Sequence, residues 1–372
     1  MNVQRKSRRA PWAASLALAA AFFCAAAVSA QIRTVLVSPV PGDPGSSGAN
    51  LLSALAGIPA PSFTNPWLLK IEPGIYDVKN TPLQMRPWVD IEGSGIGVTT
   101  IRGTVDPTID LNYGTVMGAD NAELRNLTVE ALGNAAYSTV IPMVNSSASP
   151  RVYRVKLYGR GGTFANYGMR NITAAPLLEE VEISAIGGSY TYGIVSVATS
   201  SRRGEIRRSR ITAENATNNY GLFFSTGVIT KEIRDTEITA RGGSSAYGVY
   251  FLNIVDALPE PISFDHVEID ILNGSANNYG IYVTSSYVPL QLFACDVQVS
   301  GAGSRYGIRQ EGGPTNVLNS TVSALSGVVA ATTGSVVVGN SRLLGGPVTG
   351  SSPRCLGVHD EANLFYTGAC PP

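Results

Sequence analysis

The stretch 219–224 reads NYGLFF, and close variants of it return along the chain. Each variant is a tyrosine followed by a glycine and then an apolar residue. The six tyrosines are Tyr167, Tyr192, Tyr220, Tyr247, Tyr279 and Tyr306. They lie roughly 25 to 32 residues apart, a period typical of repeat architectures. The repeat is therefore the first feature that any fold must explain.

A second pattern precedes each Tyr-Gly phrase. It reads apolar, any, polar, Val/Ser/Thr, any, apolar. Its copies are LRNLTV (124–129), VYRVKL (152–157), LEEVEI (178–183), IRRSRI (206–211), IRDTEI (233–238), FDHVEI (264–269), ACDVQV (294–299), VLNSTV (317–322) and VGNSRL (338–343). Such alternation, rich in β-branched residues, indicates strands. Two or three short strands per repeat with no helix between them predict an all-β fold, a single right-handed parallel β-helix over residues 65–350. A sandwich or a propeller is the alternative, although a propeller blade needs roughly 40 residues.

The repeat also predicts which side chains face the core. The residue two positions after each tyrosine is always apolar. These residues are Met169, Ile194, Leu222, Val249, Ile281 and Ile308. Under strict alternation the tyrosines point inward with them, and the glycines face outward or ease a bend.

The first 30 residues differ from the rest. A basic MNVQRKSRR is followed by the apolar run LALAAAFFCAAAV (16–28) and by VSA. This pattern predicts a secretory signal peptide cleaved after Ala30, with Sec and twin-arginine export both open. We therefore expect a secreted or periplasmic protein whose mature chain has no membrane span. The formal net charge is zero, which argues against a nucleic-acid partner.

Both ends of the solenoid need covering. Residues 31–64 form an N-terminal segment in which GANLLSALAGI (48–58) predicts a short capping helix. Residues 351–372 form a C-terminal cap. Because exported proteins can form disulfides, we expect Cys355 to pair with Cys370, and Cys295 to be a buried free thiol.

The segment WLLKIEPGIYDVKNTPLQMRPWVDIEGSGIGVTTIRGT (67–104) resembles the N-terminal segment of pectin methylesterases and other pectin-lyase-like β-helix proteins. The matching residues are Pro73, Gly74, Tyr76, Gly93, Gly95, Thr100 and Ile101. The resemblance implies the architecture of about residues 65–350 and leaves an esterase-like or lyase-like activity open. The catalytic motifs of those families are missing, and Arg86-Pro87-Trp88 copies a family motif far too early in the chain. Fold alone does not assign activity.

Catalytic candidates come from the polar position of the strand pattern. That column reads Asn126, Arg154, Glu180, Arg208, Asp235, His266, Asp296, Asn319 and Asn340. Asp235, His266 and Asp296 would lie on three consecutive coils, and a histidine between carboxylates is a typical general acid or base. The alternatives are a solvated charge ladder or a ladder of corner-turn residues, and a cation held by Asp235, Asp265 and Asp296. No calcium-loop spacing occurs, and we predict neither a metal nor a cofactor.

A second column is predicted to face outward beside the tyrosines. It reads Arg170, Val195, Phe223, Tyr250, Tyr282 and Arg309. Aromatic platforms suit sugar rings, and arginines suit uronate carboxylates; cross-strand stabilisation or coverage by a loop is the alternative. The sequence thus predicts a non-catalytic exported protein that binds a polysaccharide or a cell-surface glycan. The second hypothesis is a divergent polysaccharide-active enzyme of the pectin or uronate lyase or esterase type.

Overall fold

The computed structural model describes residues 32–104, 111–133, 139–197, 204–227, 230–254, 258, 260–285 and 288–371. The predicted signal peptide lies outside the described residues. The predicted domain boundaries stay a prediction. No helix in the described part of the chain is both long and apolar enough to cross a membrane.

The strands form three parallel stacks, called here the first, second and third stack. The first stack contains Arg33–Val37, Trp67–Ile71, Val89–Glu92, Glu123–Leu132, Arg151–Arg160, Leu177–Glu179, Gly204–Arg207, Thr230–Arg234, Ile262–Asp265, Leu290–Phe293, Thr315–Leu318, Val336–Gly339 and Arg354–His359. The second contains Gly74–Lys79, Thr99–Gly103, Glu182–Ile186, Arg210–Glu214, Glu237–Arg241, Glu268–Gly274, Asp296–Gly301, Thr321–Ala324 and Arg342–Gly345. The third contains Leu83–Gln84, Val116–Met117, Thr139–Val140, Met143–Ser146, Ala165–Ile172, Tyr190–Val197, Asn218–Ser225, Ser245–Leu252, Asn277–Val283, Ser304–Gln310, Gly327–Ala331 and Val348–Thr349.

Each strand pairs in parallel with the equivalent strand of the next coil, as in the pairing of Asn218–Ser225 with Ser245–Leu252. Glu123–Leu132 and Arg151–Arg160 run through both the first and the second stack, so these two stacks share one sheet. The fold class predicted from the repeat, a single parallel β-helix, is confirmed.

A sharp corner separates the first and second stacks. One residue per coil adopts a left-handed backbone there. These residues are Asn126, Arg154, Glu180, Arg208, Asp235, His266, Ala294, Asn319 and Asn340, with φ between 47° and 55°. Asparagine tolerates this region better than most side chains, which accounts for its presence at three of the nine positions. The corner lets each coil turn without a glycine.

The core lies between the stacks and consists of aligned apolar columns. In the second stack Ile183, Ile211, Ile238 and Ile269 follow one another in register, and all are buried. In the third stack Phe224 and Phe251 are buried and stack at 4.9 Å. Since each coil places like residues on like, the interior is filled by repetition along the solenoid axis.

The N-terminal helix runs from Pro44 to Gly57, so it begins four residues before the predicted segment. Asp43 caps it by accepting a hydrogen bond from the Ser46 amide at 3.0 Å, the usual role of an N-cap aspartate. Its buried Leu51 and Leu55 belong to the core. At the other end the Arg86 guanidinium donates to the carbonyl of Leu55 at 3.1 Å and to that of Ile58 at 2.7 Å. Arg86 therefore closes the cap by satisfying carbonyls that a helix leaves unpaired.

The C-terminal end is closed by a hairpin. Arg354–His359 pairs antiparallel with Phe365–Gly368, and the predicted disulfide between Cys355 and Cys370 joins the two sides. Cys295 is a buried free thiol, as predicted, and burial raises its pKa to about 11. Because a thiol with a raised pKa is a poor nucleophile, Cys295 serves packing.

Candidate functional site

The six repeat tyrosines lie side by side in the third stack. The strand register pairs each tyrosine with the tyrosine of the next coil. Neighbouring rings are stacked, with centroid separations of 4.9, 5.1, 5.0, 5.2 and 5.5 Å from Tyr167 to Tyr306. These separations follow the spacing between strands, about 4.8 Å. The rings therefore form one continuous column, called here the tyrosine ladder.

The tyrosine ladder lies on the outer face of the third stack, where Tyr167 and Tyr279 are nevertheless covered by neighbouring side chains, and the expectation that these tyrosines point inward to the main core was wrong. In the coil of Tyr220, the inward side chains are those of Asn219, Leu222 and Phe224, each at most 1% exposed. Tyr220 is only half-buried. Its ring meets that of Phe223 edge to face at 5.4 Å, so both rings share the outer face.

The glycine after each tyrosine explains the reversal. A Cβ on Gly221 would lie 2.4 Å from the Ile238 Cγ2 and 2.6 Å from the Gly248 carbonyl oxygen, so this position faces the core. Leu222 also faces the core, which places two consecutive residues inward. Strict alternation fails at this bend, and Tyr220 and Phe223 both emerge on the outside. The expected outward orientation of the glycine was wrong for the same reason.

In three repeats an asparagine precedes the tyrosine, and its side chain stabilises the turn before the ladder. The strand pattern in the sequence did not predict this role. Asn166, Asn219 and Asn278 are fully buried. The Asn219 amide donates to the carbonyls of Ala216 and Gly242, each at 2.9 Å, and its oxygen accepts from the Ala216 amide at 3.0 Å. Such a satisfied buried amide holds the turn before the ladder. The Asn-Tyr-Gly triplets were the available signal.

The predicted outward column is present in the predicted register. The structure pairs Phe223 with Tyr250, Tyr250 with Tyr282, and Tyr282 with Arg309. The Phe223 and Tyr250 rings meet edge to face at 5.5 Å. The Tyr250 and Tyr282 rings are stacked at 5.2 Å.

The ladder and this column merge into one surface. Tyr279 and Tyr282 are stacked at 4.8 Å, Tyr247 and Tyr250 at 5.0 Å. We call the combined surface the aromatic face. It consists of Tyr192, Tyr220, Phe223, Tyr247, Tyr250, Tyr279, Tyr282 and Tyr306. It is two rings wide along much of its length, and most of its rings are half-buried, so their outer parts remain open to a ligand.

Burial keeps several hydroxyl groups of the face protonated at neutral pH. Burial raises the pKa of Tyr247 and of Tyr282 to about 12, and it also raises the pKa of Tyr192 and Tyr220. The Tyr282 hydroxyl donates to the Glu311 carboxylate at 3.0 Å. The face therefore offers uncharged hydroxyls that can donate or accept hydrogen bonds.

The two predicted arginines occupy different environments. The Arg309 guanidinium lies 5.6 Å from the Tyr282 ring centroid and 5.1 Å from that of Tyr306, within the range of a cation–π contact. Arg170 is separated from Phe223 by Val195 in the register, and its side chain donates to the Leu111 carbonyl. Arg309 thus lies at the edge of the aromatic face, whereas Arg170 is hydrogen-bonded to a neighbouring segment.

The three predicted catalytic candidates do not form one column. Asp235 and His266 both occupy the left-handed corner position in consecutive coils. Asp296 does not, because the register pairs it with Glu268, and Ala294 takes the corner instead. The predicted alignment of Asp296 was wrong, since a shift of two residues preserves the inward and outward pattern. The strand pairing and the left-handed φ of Ala294 both distinguish the observed register from the predicted one.

His266 has a carboxylate neighbour on its own strand end. The His266 Nδ1 lies 2.8 Å from the Asp265 Oδ1, and the ring is largely exposed. Farther along the same corner, Arg154 pairs with Glu180 at 2.7 Å. In the part of the chain that the structure describes, no cluster of three or more His, Cys, Asp or Glu residues is arranged to hold a metal ion.

Comparison with known proteins finds solved structures of low similarity. No family model matches the chain, and no curated protein matches it. Among solved structures, the Dettilon tailspike protein (gp208) is 10% identical with a TM-score of 0.49; the match covers 89% of this chain and 63% of that chain. The A-module of the Azotobacter vinelandii mannuronan C-5 epimerase AlgE6 is 16% identical with a TM-score of 0.38, covering 84% of this chain and 89% of that module. The AlgE4 A-module is 15% identical with a TM-score of 0.41, covering 87% and 89%. The chain therefore spans less than two thirds of the tailspike, and at these identities none of the three similarities bears on function.

Proposed function

We propose that this chain is an exported, non-catalytic β-helix protein that binds an extended polysaccharide along its aromatic face. The observation that carries the proposal is the continuity of that face. Stacked rings follow one another coil after coil at about the spacing of the strands, and two columns lie in contact. A contiguous, half-exposed aromatic surface is a typical interaction site.

Sugar chains suit this surface for chemical reasons. The apolar faces of sugar rings pack on aromatic rings, while their hydroxyls need hydrogen-bond partners. The face supplies both, because its tyrosines present ring surfaces and protonated hydroxyls together. Arg309 adds a positive charge at one end, which favours a chain that carries carboxylates.

The test is a binding measurement on the double variant Tyr250→Leu/Tyr282→Leu. Leucine keeps an apolar side chain but removes the flat ring. A single ring contact is worth on the order of 1 kcal/mol, so the variant should bind polygalacturonate or alginate roughly tenfold or more weakly. Isothermal titration calorimetry on the folded protein measures this change.

The matched control is Tyr153→Leu. Tyr153 lies on the first stack and is also flanked by arginines, with Arg151 at 5.3 Å and Arg154 at 5.0 Å from its ring. It has no stacked aromatic neighbour among the described residues. This control should retain full binding. Equal binding by all three proteins, with each one folded, would refute the aromatic face as the binding surface.

The alternative function is a divergent polysaccharide lyase or esterase. The contact between His266 and Asp265 favours it, because a carboxylate can orient a histidine for proton transfer. Asp235 lies one coil away at the same corner position. Incubation with pectin, polygalacturonate and alginate should yield no unsaturated product and no methanol if the protein only binds. Product formation that His266→Ala abolishes would establish the enzyme instead.

We also propose that the chain is a member of the pectin-lyase-like β-helix proteins, which its segment 67–104 supports. We propose that it is exported by a signal peptide cleaved after Ala30, which the basic and apolar pattern of residues 1–30 supports. N-terminal sequencing of the protein recovered from outside the cytoplasm tests the cleavage, and a mature chain that still begins at Met1 would contradict it.

A further inference from the structure

The aromatic face ends abruptly at Tyr306. One side of this ring is stacked on Tyr279 at 5.5 Å. The next coil places Gly327 opposite Tyr306 and Ala330 opposite Arg309. Where earlier coils carry two rings, this coil carries a hydrogen atom and a methyl group. The second face of the Tyr306 ring is therefore left without an aromatic neighbour.

The missing rings leave a pocket of about 220 Å³. Tyr306 and Arg309 form one wall, Gly327 and Ala330 lie opposite them, and Ser326 and Thr349 contribute hydroxyl groups to the lining. Pockets for drug-sized ligands begin at about 300 Å³, so this pocket has room for one sugar residue and not for a longer piece of chain.

Arg309 makes the pocket selective. Its Nη1 lies 3.5 Å from the Tyr279 hydroxyl, and its guanidinium is held against two rings. Among the described residues Arg309 forms no ion pair. The carboxylate of Glu311, two residues farther along the chain, accepts a hydrogen bond from Tyr282 instead. A positioned guanidinium without a carboxylate partner is well suited to bind one from a ligand, since it can donate two parallel hydrogen bonds.

From this geometry we propose that the pocket beyond Tyr306 binds a single acidic sugar residue, a uronate. Its ring packs on the open face of Tyr306, and its carboxylate is bound by Arg309. The inference rests on the proposed function, because it adds an end subsite to the aromatic face. It also predicts something that the face alone does not: recognition of a monosaccharide, and discrimination between the acid and its neutral ester.

The experiment uses glucuronate and galacturonate as monosaccharides, their methyl esters as neutral probes, and the full mature chain. Saturation-transfer NMR and chemical-shift titration measure binding. The wild-type protein should bind the acids in the millimolar range, where single small ligands are expected, and the esters at least tenfold more weakly. Arg309→Gln should weaken binding of the acids at least tenfold and abolish the preference over the esters.

A second variant tests the position of the site without changing the charge of Arg309. Ala330 is half-buried and outward, so Ala330→Leu fills the pocket while leaving the core unchanged, and it should abolish monosaccharide binding. Ser323→Leu is the matched control, because Ser323 is a half-buried outward residue of the second stack; it should bind as the wild type does. Wild-type binding by Ala330→Leu, or no binding of either uronate by the wild type, would overturn the pocket.

The outcomes separate the two proposals. If Tyr250→Leu/Tyr282→Leu loses polymer binding while the wild-type protein binds no monosaccharide, the aromatic face is supported as a binding surface and the pocket is refuted as a binding site. If monosaccharide binding is lost in Ala330→Leu while the double variant binds polymer normally, the pocket is supported as a binding site and the aromatic face is refuted as a binding surface.

Discussion

At the corner between the first and second stacks, ordinary side chains occupy a backbone conformation that disfavours them. Arg154, Glu180 and Arg208 all have φ near 50°, where an L-residue other than Gly, Asn or Asp is destabilised by roughly 1–2 kcal/mol. The neighbouring coils impose the turn, so these residues tolerate it. Ala294 is the one alanine among the described corner positions, and its side chain forms no hydrogen bond that could offset the strain.

Replacing Ala294 should therefore stabilise the protein. Ala294→Asn places at the corner the residue already found at Asn319 in the next coil, and it should raise the free energy of unfolding by about 0.5–1 kcal/mol. Urea denaturation measures the change. Ala330→Asn is the control, because Ala330 does not have positive φ; a gain at Ala330 as large as that at Ala294 would contradict the backbone argument.

The acidic group Asp270 predicts how stability depends on pH. Burial raises its pKa from the ordinary 3.8 to about 6, and repulsion from Glu268 and Asp296 adds to the effect. Because the folded-state pKa exceeds the unfolded one, protonation favours the folded state. That contribution is complete below about pH 4 and is lost as the pH rises through about 6.

Asp270→Asn removes this dependence. The variant should melt at a higher temperature than the wild type at pH 8 and at nearly the same temperature at pH 4. Thermal unfolding followed by circular dichroism at the two pH values measures the difference. A variant that is equally stabilised, or equally destabilised, at both values would show that the charge of Asp270 is not the cause.

At the scale of the strand, the inward glycine determines which face carries the rings. Gly221 lies against Ile238 with no room for a Cβ, so Gly221→Ala should destabilise the fold by about 1–3 kcal/mol through overpacking. Urea denaturation measures the loss. Gly57→Ala is the control, since a Cβ there meets no atom within 4 Å, and its effect should stay within about 0.5 kcal/mol. Similar losses in both variants would show that the contact with Ile238 is not the cause.

The sequence predicted the strands well because alternation and the Tyr-Gly period are strong signals. It also predicted the register of Phe223, Tyr250 and Tyr282, since equal spacing within the repeats aligns equivalent residues. It did not predict which way the repeat tyrosines and glycines face, because the bend at Gly221 depends on contact with Ile238 from another stack. It misaligned Asp296 with His266 because a shift of two residues leaves every side chain of a strand on the same side of the sheet. Local patterns cannot carry either of these tertiary constraints.

At the scale of the whole molecule, we expect stability to depend on how the C-terminal end of the solenoid is covered. The hairpin Arg354–His359 and Phe365–Gly368 covers the end of the solenoid, and the disulfide Cys355–Cys370 holds it. Closing a loop of this length is worth about 3 kcal/mol in the chain-entropy model. Cys355→Ala/Cys370→Ala should lower the free energy of unfolding by about this amount, as measured in urea.

Reduction provides the internal control for this prediction. Dithiothreitol should lower the urea midpoint of the wild type toward that of the double variant and should leave the variant unchanged. An equal response of the two proteins to the reductant would mean that the disulfide Cys355–Cys370 does not stabilise the last coil.

The tyrosine ladder has near-translational symmetry, with the same ring presented after every coil. If a polysaccharide binds there as proposed, it can shift by one coil and find almost the same contacts, so several binding registers would have similar free energies. Such degeneracy adds mixing entropy to the bound state and lowers the barrier to one-dimensional diffusion along the solenoid. Where the symmetry is broken, as at Gly327 and Ala330, one register differs from the others. A chain terminus arriving there would stop the diffusion, and the protein would then distinguish the end of a polymer from its interior.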